Sequence, residues 1–122
     1  VGVLVIEFFL DHENKLIANE MAPRVHNSGH WTNEGASISQ FEAHIMAISN
    51  INIQKIHMTG NSAMLNILSK MPNKFNENDY NCKLYDYGKS ERKNRKLGHV
   101  TLTADDKKDL HLKISRLKDK IF

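Results

Sequence analysis

The 122-residue sequence holds one cysteine, two prolines, six glycines and one tryptophan. A single thiol, Cys82, closes no internal disulfide and supplies no cysteine cage for zinc. No apolar run approaches the roughly 18–20 residues of a membrane span, so no membrane partner is expected. There is no internal repeat and no glycine-rich phosphate loop. No signal segment is recognisable, and a cytoplasmic setting is the expectation. Neither charge sign dominates: 17 basic side chains face 14 acidic ones, for a net +3 and a pI near 9.0. That mild excess does not by itself mark a nucleic-acid binder. What is present, 40% hydrophobic and 25% charged residues, suffices for a folded core. The length fits one domain or two very small ones. The chain also opens without Met, at Val1, inside the apolar run Val1–Leu10, as expected of a piece of a longer protein.

Residues 1–10 predict a long strand rich in Val, Ile and Phe, and Lys15–Met21 a second, joined by the turn cluster Asp11-His12-Glu13-Asn14. Pro23 ends this hairpin because it cannot donate to a ladder. Residues 24–35 have no period and read as a loop. Ser37 to Gln40 has capping-box spacing, and Phe41, Ile45 and Ile48 share a helical face, predicting a helix over 37–49. Residues 53–59 read as a strand, and 62–69 fit either a helix or a short buried strand. The Asn-rich stretch 70–81, with Pro72, reads as an exposed loop. Residues 83–87 and 98–103 read as strands around a basic connection. Thr103 is the expected cap of a last helix whose apolar stripe is Leu110, Ile114, Leu117 and Ile121.

The hairpin carries the first chemical signal. Any even-length loop puts Glu7 and Glu20 on one face, and a tip at Glu13-Asn14 puts them directly opposite. Opposed like charges repel, and burial raises the cost. A divalent cation resolves both problems, and magnesium suits a few carboxylates with phosphate oxygens and water. The bland alternative leaves Glu7 at a solvated edge or paired with Arg24.

The densest polar string, Asn19 to Thr32, follows at once. Arg24 offers a fork for phosphate or carboxylate. Asn27, Ser28 and Gly29 suit a loop whose N–H groups point at an anion. His26 and His30 suit donor, acid or base roles; as a zinc pair they lack a third ligand at suitable spacing. Trp31 reads as packing, and His44, His57 and His111 as ordinary surface or half-buried residues. Further on, Lys89, Arg92, Lys93, Arg95 and Lys96 place five cations in eight residues. Such a segment suits a phosphorylated small molecule, a nucleic acid, or simply a solvated loop.

Together these strings resemble the N5-carboxyaminoimidazole ribonucleotide synthase family of ATP-grasp enzymes, the ATPase subunits of phosphoribosylaminoimidazole carboxylase. The resemblance rests on Asn19-Glu20-Met21-Ala22-Pro23-Arg24-Val25-His26-Asn27-Ser28-Gly29-His30-Trp31-Thr32, on Ser39-Gln40-Phe41-Glu42, on Tyr87-Gly88-Lys89 with Arg92, and on Arg95 to Leu102. It covers about residues 1–103 in one order. It implies an α+β fold: the C-terminal half of an ATP-grasp domain, hairpin plus helix, over 1–53, then a small β-rich C-terminal domain with a terminal helix over 54–122. It implies an ATP-dependent ligase of purine biosynthesis, in which bicarbonate is phosphorylated to carboxyphosphate and its carboxyl group is captured by 5-aminoimidazole ribonucleotide. Within it, Glu7 and Glu20 would hold magnesium, and Asn19 and Glu20 would belong to the ATP site. Arg24, His26 and Asn27 would face bicarbonate or carboxyphosphate. Lys89 and Arg95, with Arg92 and Lys96 beside them, would hold the ribonucleotide phosphate. The family is generally dimeric.

The chain departs from the pattern at Ala22, where many ATP-grasp enzymes carry an Asn on the metal face. The ATP-phosphate lysine and glycine-rich lid of the family have no counterpart in these 122 residues, so the chain alone is expected not to turn over. The competing readings are an inactive truncated relative and a small basic nucleic-acid-binding module.

Overall fold

The structure, a computed structural model, describes residues 1–121. Its elements run β1 (Val5–Leu10), β2 (Leu16–Ala22), α1 (Thr32–Gly35), α2 (Gln40–Ile48), β3 (Asn61–Leu68), α3 (Glu77–Tyr80), β4 (Cys82–Asp86), β5 (Lys96–Ala104) and α4 (Lys107–Ile121). The α+β expectation holds: β1 and β2 form one antiparallel hairpin, and β3-β5-β4 form a second, wholly antiparallel sheet with β5 in the centre.

The hairpin pairs Glu7 with Glu20 as expected, but not through an even-length loop. Leu10 pairs with Leu16, leaving a five-residue connection. Asp11 organises it by accepting from the N–H groups of Glu13 and Lys15, both at 2.8 Å. In that register Glu7 would oppose Asn19, and Glu20 would fall on the other face. A bulge corrects this: Phe8 pairs with Ala18, Glu7 with Glu20, and Asn19 is the extra residue. The first strand is also shorter than the apolar run, because the Val3 N–H leaves the ladder and donates to His44 Nδ1 at 3.1 Å.

Several other boundaries move for identifiable reasons. The helix expected over 37–49 starts at Gln40, capped by Ser39, whose hydroxyl accepts from Glu42 N–H at 3.1 Å. Ser37 is occupied with His57, donating its N–H to the His57 carbonyl and accepting from the His57 N–H. Of the strand expected over 53–59 only one bridge forms, Ala36 with Met58, flanked by the Ser37–His57 contact and by the Thr59 N–H donating to the Gly35 carbonyl at 3.0 Å. The stripe Phe41, Ile45 and Ile48 exists but stays exposed, while Gln40 and Ala43 face inward.

Residues 61–68 resolve as a strand, because β5 offers a full-length partner. Residues 24–35 include a 3-10 turn at Asn27–Gly29 and the single turn α1, rather than loop alone. Residues 70–81 are likewise more than an exposed loop: Met71, Phe75 and Tyr80 pack on the core, and Asn76 caps α3. Thr103 stays in β5 opposite Ser62. The cap of α4 is Asp106, accepting from the N–H groups of Lys108 and Asp109 at 2.8 and 2.9 Å.

The stripe of α4 packs as its spacing predicts. Leu110 and Leu117 join Ile67, Val100, Leu102 and Ala104 in one core, with Ile114 and Ile121 at its margin. Strand residues alternate faces. The other face of the same sheet therefore presents Ser62 and Asn66 of β3, Lys83 and Tyr85 of β4, and His99, Thr101 and Thr103 of β5 beneath residues 27–35. This second, polar face positions the site.

Candidate functional site

The bulge brings Asn19 and Glu20 together across from Glu7. Asn19 Nδ2 donates to Glu7 Oε1 at 2.6 Å. Glu20 keeps half of its side chain in solvent, while His26, far more buried, sets Nε2 2.8 Å from Glu20 Oε1. His26 Nδ1 accepts from the Ser28 N–H at 3.3 Å and lies 2.9 Å from its hydroxyl. With Nδ1 as acceptor, the ring carries a proton on Nε2 and donates it to the carboxylate. Each carboxylate thus has one oxygen engaged by a hydrogen-bond donor.

Gln40 braces the loop that carries His26. Its side chain accepts from the His26 N–H, donates to the His26 carbonyl (both 2.9 Å) and lies 2.7 Å from His30 Nδ1. The approach is close: a Cβ on Gly29 would meet Gln40 Oε1 at 2.5 Å, so a larger residue there would displace the Gln40 amide from its hydrogen bonds to His26. Thr32 closes the turn by donating to the Gly29 carbonyl at 2.6 Å.

The loop then stacks on the sheet. Phe41, His30, His99 and Tyr85 form one column of rings, with centroid separations of 5.4, 5.0 and 4.6 Å. Asn27 Nδ2 donates to Asn66 Oδ1 at 3.0 Å, and Tyr85 Oη donates to Glu34 Oε1. Burial lowers the pKa of His30, helped by the charges of His26 and Lys96. Burial, with His30 next, drives His99 down to about 4. Burial foremost, with the Glu34 carboxylate behind it, raises Tyr85.

The predicted residues therefore divide. Glu7, Asn19, Glu20 and His26 form one cluster. Arg24 does not pair with Glu7; it is exposed and donates to the Val25 carbonyl at 3.0 Å. Asn27 is tied to the second sheet rather than left free. In the basic segment, Arg95 is held by the carbonyl and hydroxyl of Ser90, at 3.3 and 2.9 Å. Lys89 Nζ lies 5.0 Å over the Tyr87 ring. Arg92 and Lys96 are exposed and form no ion pair among the described residues. The segment nevertheless reaches the histidine loop, because Tyr87 meets His30 edge-on at 6.3 Å.

Gln40, Glu34, Tyr85 and His99 carried no assigned role in the sequence. Of these, His99 alone belongs to a visible pattern, a polar residue at every second position of 99–103 in a strand whose alternate positions, Val100 and Leu102, are core.

No group of three His, Cys, Asp or Glu side chains converges as a metal site among the described residues. A zinc pair at His26 and His30 finds no support, since both rings are engaged in bracing. The Glu7–Glu20 pair is a hard-oxygen donor set that fits magnesium, with its remaining ligands drawn from phosphate or water.

Comparison with known proteins agrees with this fold. The ATP-grasp domain model matches residues 1–41, and the phosphoribosylaminoimidazole carboxylase C-terminal domain model matches residues 62–113. N5-carboxyaminoimidazole ribonucleotide synthase of Pseudomonas aeruginosa is 44% identical over 119 residues, covering 97% of this chain and 33% of that protein. The crystal structure of the phosphoribosylaminoimidazole carboxylase ATPase subunit from Aquifex aeolicus superposes with a TM-score of 0.88 at 37% identity, over 100% of this chain and 39% of that one. The Aspergillus clavatus N5-carboxyaminoimidazole synthase, solved with ADP and 5-aminoimidazole ribonucleotide, gives 0.83 at 32% identity, over 98% and 35%. The chain spans about a third of the length of the curated relatives it matches. No helix among the described residues is long and apolar enough to cross a membrane. The two matched segments in order, the identity and the shared fold show that the chain belongs to the N5-carboxyaminoimidazole ribonucleotide synthase family of ATP-grasp proteins.

Proposed function

We propose that this chain forms part of an ATP-dependent ligase that phosphorylates bicarbonate and transfers the resulting carboxyl group to the amine of 5-aminoimidazole ribonucleotide. The observation that carries the reading is the bulged register that sets Asn19 and Glu20 against Glu7, with His26 holding Glu20. The chain divides near residues 53 and 54 into an ATP-grasp part and a C-terminal part, and the active protein is a homodimer.

Glu7 and Glu20 are the residues that would hold magnesium in the ATP site. When bound, the ion neutralises charge on the transferring phosphoryl group. Asn19 fixes the Glu7 carboxylate, and His26 fixes that of Glu20. Arg24 is the exposed cation nearest in sequence to this cluster and binds the bicarbonate or carboxyphosphate anion. His26 and Asn27, both locked by hydrogen bonds, shape that pocket rather than move. Lys89 and Arg95 clamp the ribonucleotide phosphate, with Arg92 and Lys96 adding field. Carboxyphosphate hydrolyses readily, so a site that excludes water protects it.

The test joins the upstream two-thirds of the Pseudomonas aeruginosa relative to this chain and measures bicarbonate-dependent ADP release. The chimaera is expected to turn over, and the 122-residue chain alone is not. Glu20→Ala in the chimaera is expected to cost about 100-fold or more in kcat, the scale of losing transition-state charge stabilisation. Lys89→Ala or Arg95→Ala is expected mainly to raise KM for the ribonucleotide. Full turnover by Glu20→Ala sinks the metal assignment, and release of ADP by the chain alone sinks the claim that it is incomplete.

A further inference from the structure

The basic segment has a positioning problem. Lysine is a point charge on a flexible stem, and Lys89 is exposed. Its only tether on the described surface is the Tyr87 ring beneath its ammonium. Tyr87 is held at two points: its N–H donates to the Leu97 carbonyl at 2.9 Å, and its hydroxyl lies 2.7 Å from His99 Nδ1.

His99 is the fixed end of this chain of contacts. Only 2% of it is exposed. It lies between two rings, His30 at 26° and Tyr85 at 11° to its plane. Both are anchored to the 27–40 region, His30 by Gln40 and Tyr85 by Glu34. Its Nε2 is buried without a partner, so the hydrogen bond to Tyr87 is its sole polar contact. A buried imidazole with one unpartnered nitrogen carries a desolvation cost, and its one side-chain hydrogen bond is spent on the Tyr87 hydroxyl.

We infer that His99 is a positioning residue, which holds the Tyr87 hydroxyl so that the ring aims the Lys89 ammonium at the ribonucleotide phosphate. The target of that ammonium rests on the function proposed above; the His99–Tyr87–Lys89 linkage does not.

Two readouts on the 122-residue chain separate the two. The ε-methylene protons of Lys89, lying over an aromatic face, are expected upfield of the other lysines in NMR spectra. Titration with ribose 5-phosphate reports the phosphate site. His99→Phe keeps the ring column and removes Nδ1; Tyr87→Phe keeps the ring and removes the hydroxyl, and carries the test if the buried variant does not fold. Both variants are expected to lose most of the Lys89 shift and to weaken ribose 5-phosphate binding about tenfold. The double variant is expected to be no worse than either single, since the two act through one bond. A packing role alone would change thermal stability and move neither readout. An unchanged Lys89 shift in both variants, or additive losses in the double, overturns the inference. If the shift is lost but Lys89→Ala binds ribose 5-phosphate as the wild type does, the linkage stands and the phosphate target falls.

Discussion

Strand β5 and the hairpin β1–β2 are built from similar residues and have opposite fates. Seven of the nine residues of β5 are buried, against one, Ala22, of the thirteen in β1 and β2. The hairpin is if anything more apolar, with Ile6, Phe8, Phe9, Leu10, Leu16, Ile17 and Met21 all exposed. The difference lies in neighbours rather than composition. β5 has a strand on each side and α4 across one face, whereas β1 and β2 have only each other. Apolar burial contributes about 25 cal/mol per Å² only where a second layer removes the water. The stability of this chain therefore resides in residues 61–121 and in the region around 27–43 stacked on their sheet, and the hairpin that carries the candidate metal ligands contributes least to it.

The largest expected effect tests that division directly. Leu117 is fully buried against β5. Leu117→Ala is expected to cost about 2–5 kcal/mol, the range for a leucine truncated in a closed core. Phe9→Ala, on the exposed hairpin, is expected to change stability by no more than about 0.5 kcal/mol. Urea denaturation followed by circular dichroism measures both. Comparable losses would mean that the hairpin shares the core and would break the comparison.

Acid should act on the same side of the division. His99 titrates at about 4 in the folded chain, so the fold keeps it neutral while the unfolded chain takes up a proton below about pH 6.5. The unfolded state then binds more protons, and stability falls as pH drops from about 6.5 towards 4. The loss from this one ring is on the order of 3 kcal/mol. His30, lowered in the same direction, adds to it. In wild-type chain the urea midpoint is expected to fall steeply across that window, and His99→Phe is expected to flatten the fall. An equally steep fall in the variant would place the acid sensitivity elsewhere.

How much of this was legible depends on whether the cause was local. The stripe Leu110, Ile114, Leu117 and Ile121 could be read because helical spacing and burial against a sheet coincide. The Glu7–Glu20 pairing could be read too, though through the wrong device. An even loop was the simple route, while the chain uses an odd loop and a bulge at Asn19, and bulges leave no periodic trace. The cap of α4 was misplaced because Thr103 and Asp106 are both good caps, and only the length of the β5 pairing excludes the first. The bracing of His26 by Gln40, the ring column and the Glu34–Tyr85 tie could not be read at all. They join residues 11 to 69 positions apart, and no local pattern encodes which side chains meet across two layers. The strings Arg24–Trp31 and Arg95–Leu102 stood out as motifs, but the contact between them is a product of the tertiary fold.

The smallest expected effect on stability sharpens the comparison most. Asn19 is exposed, and its one side-chain bond in the structure runs to Glu7 Oε1. Asn19→Ala removes that bond but leaves the residue count of the bulge, so the register of Glu20 survives. Its stability cost is expected within about 0.5 kcal/mol, as for most exposed polar truncations. Magnesium binding should respond differently, because the Glu7 carboxylate loses the donor that fixes its rotamer opposite Glu20. Titration of the chain with magnesium, following Glu7 and Glu20 side-chain NMR signals, is expected to show weaker binding at an unchanged urea midpoint. A midpoint that drops with the affinity would show that Asn19 supports the hairpin itself. An unchanged affinity would show that the bulge serves only to set the register and that its extra side chain is idle.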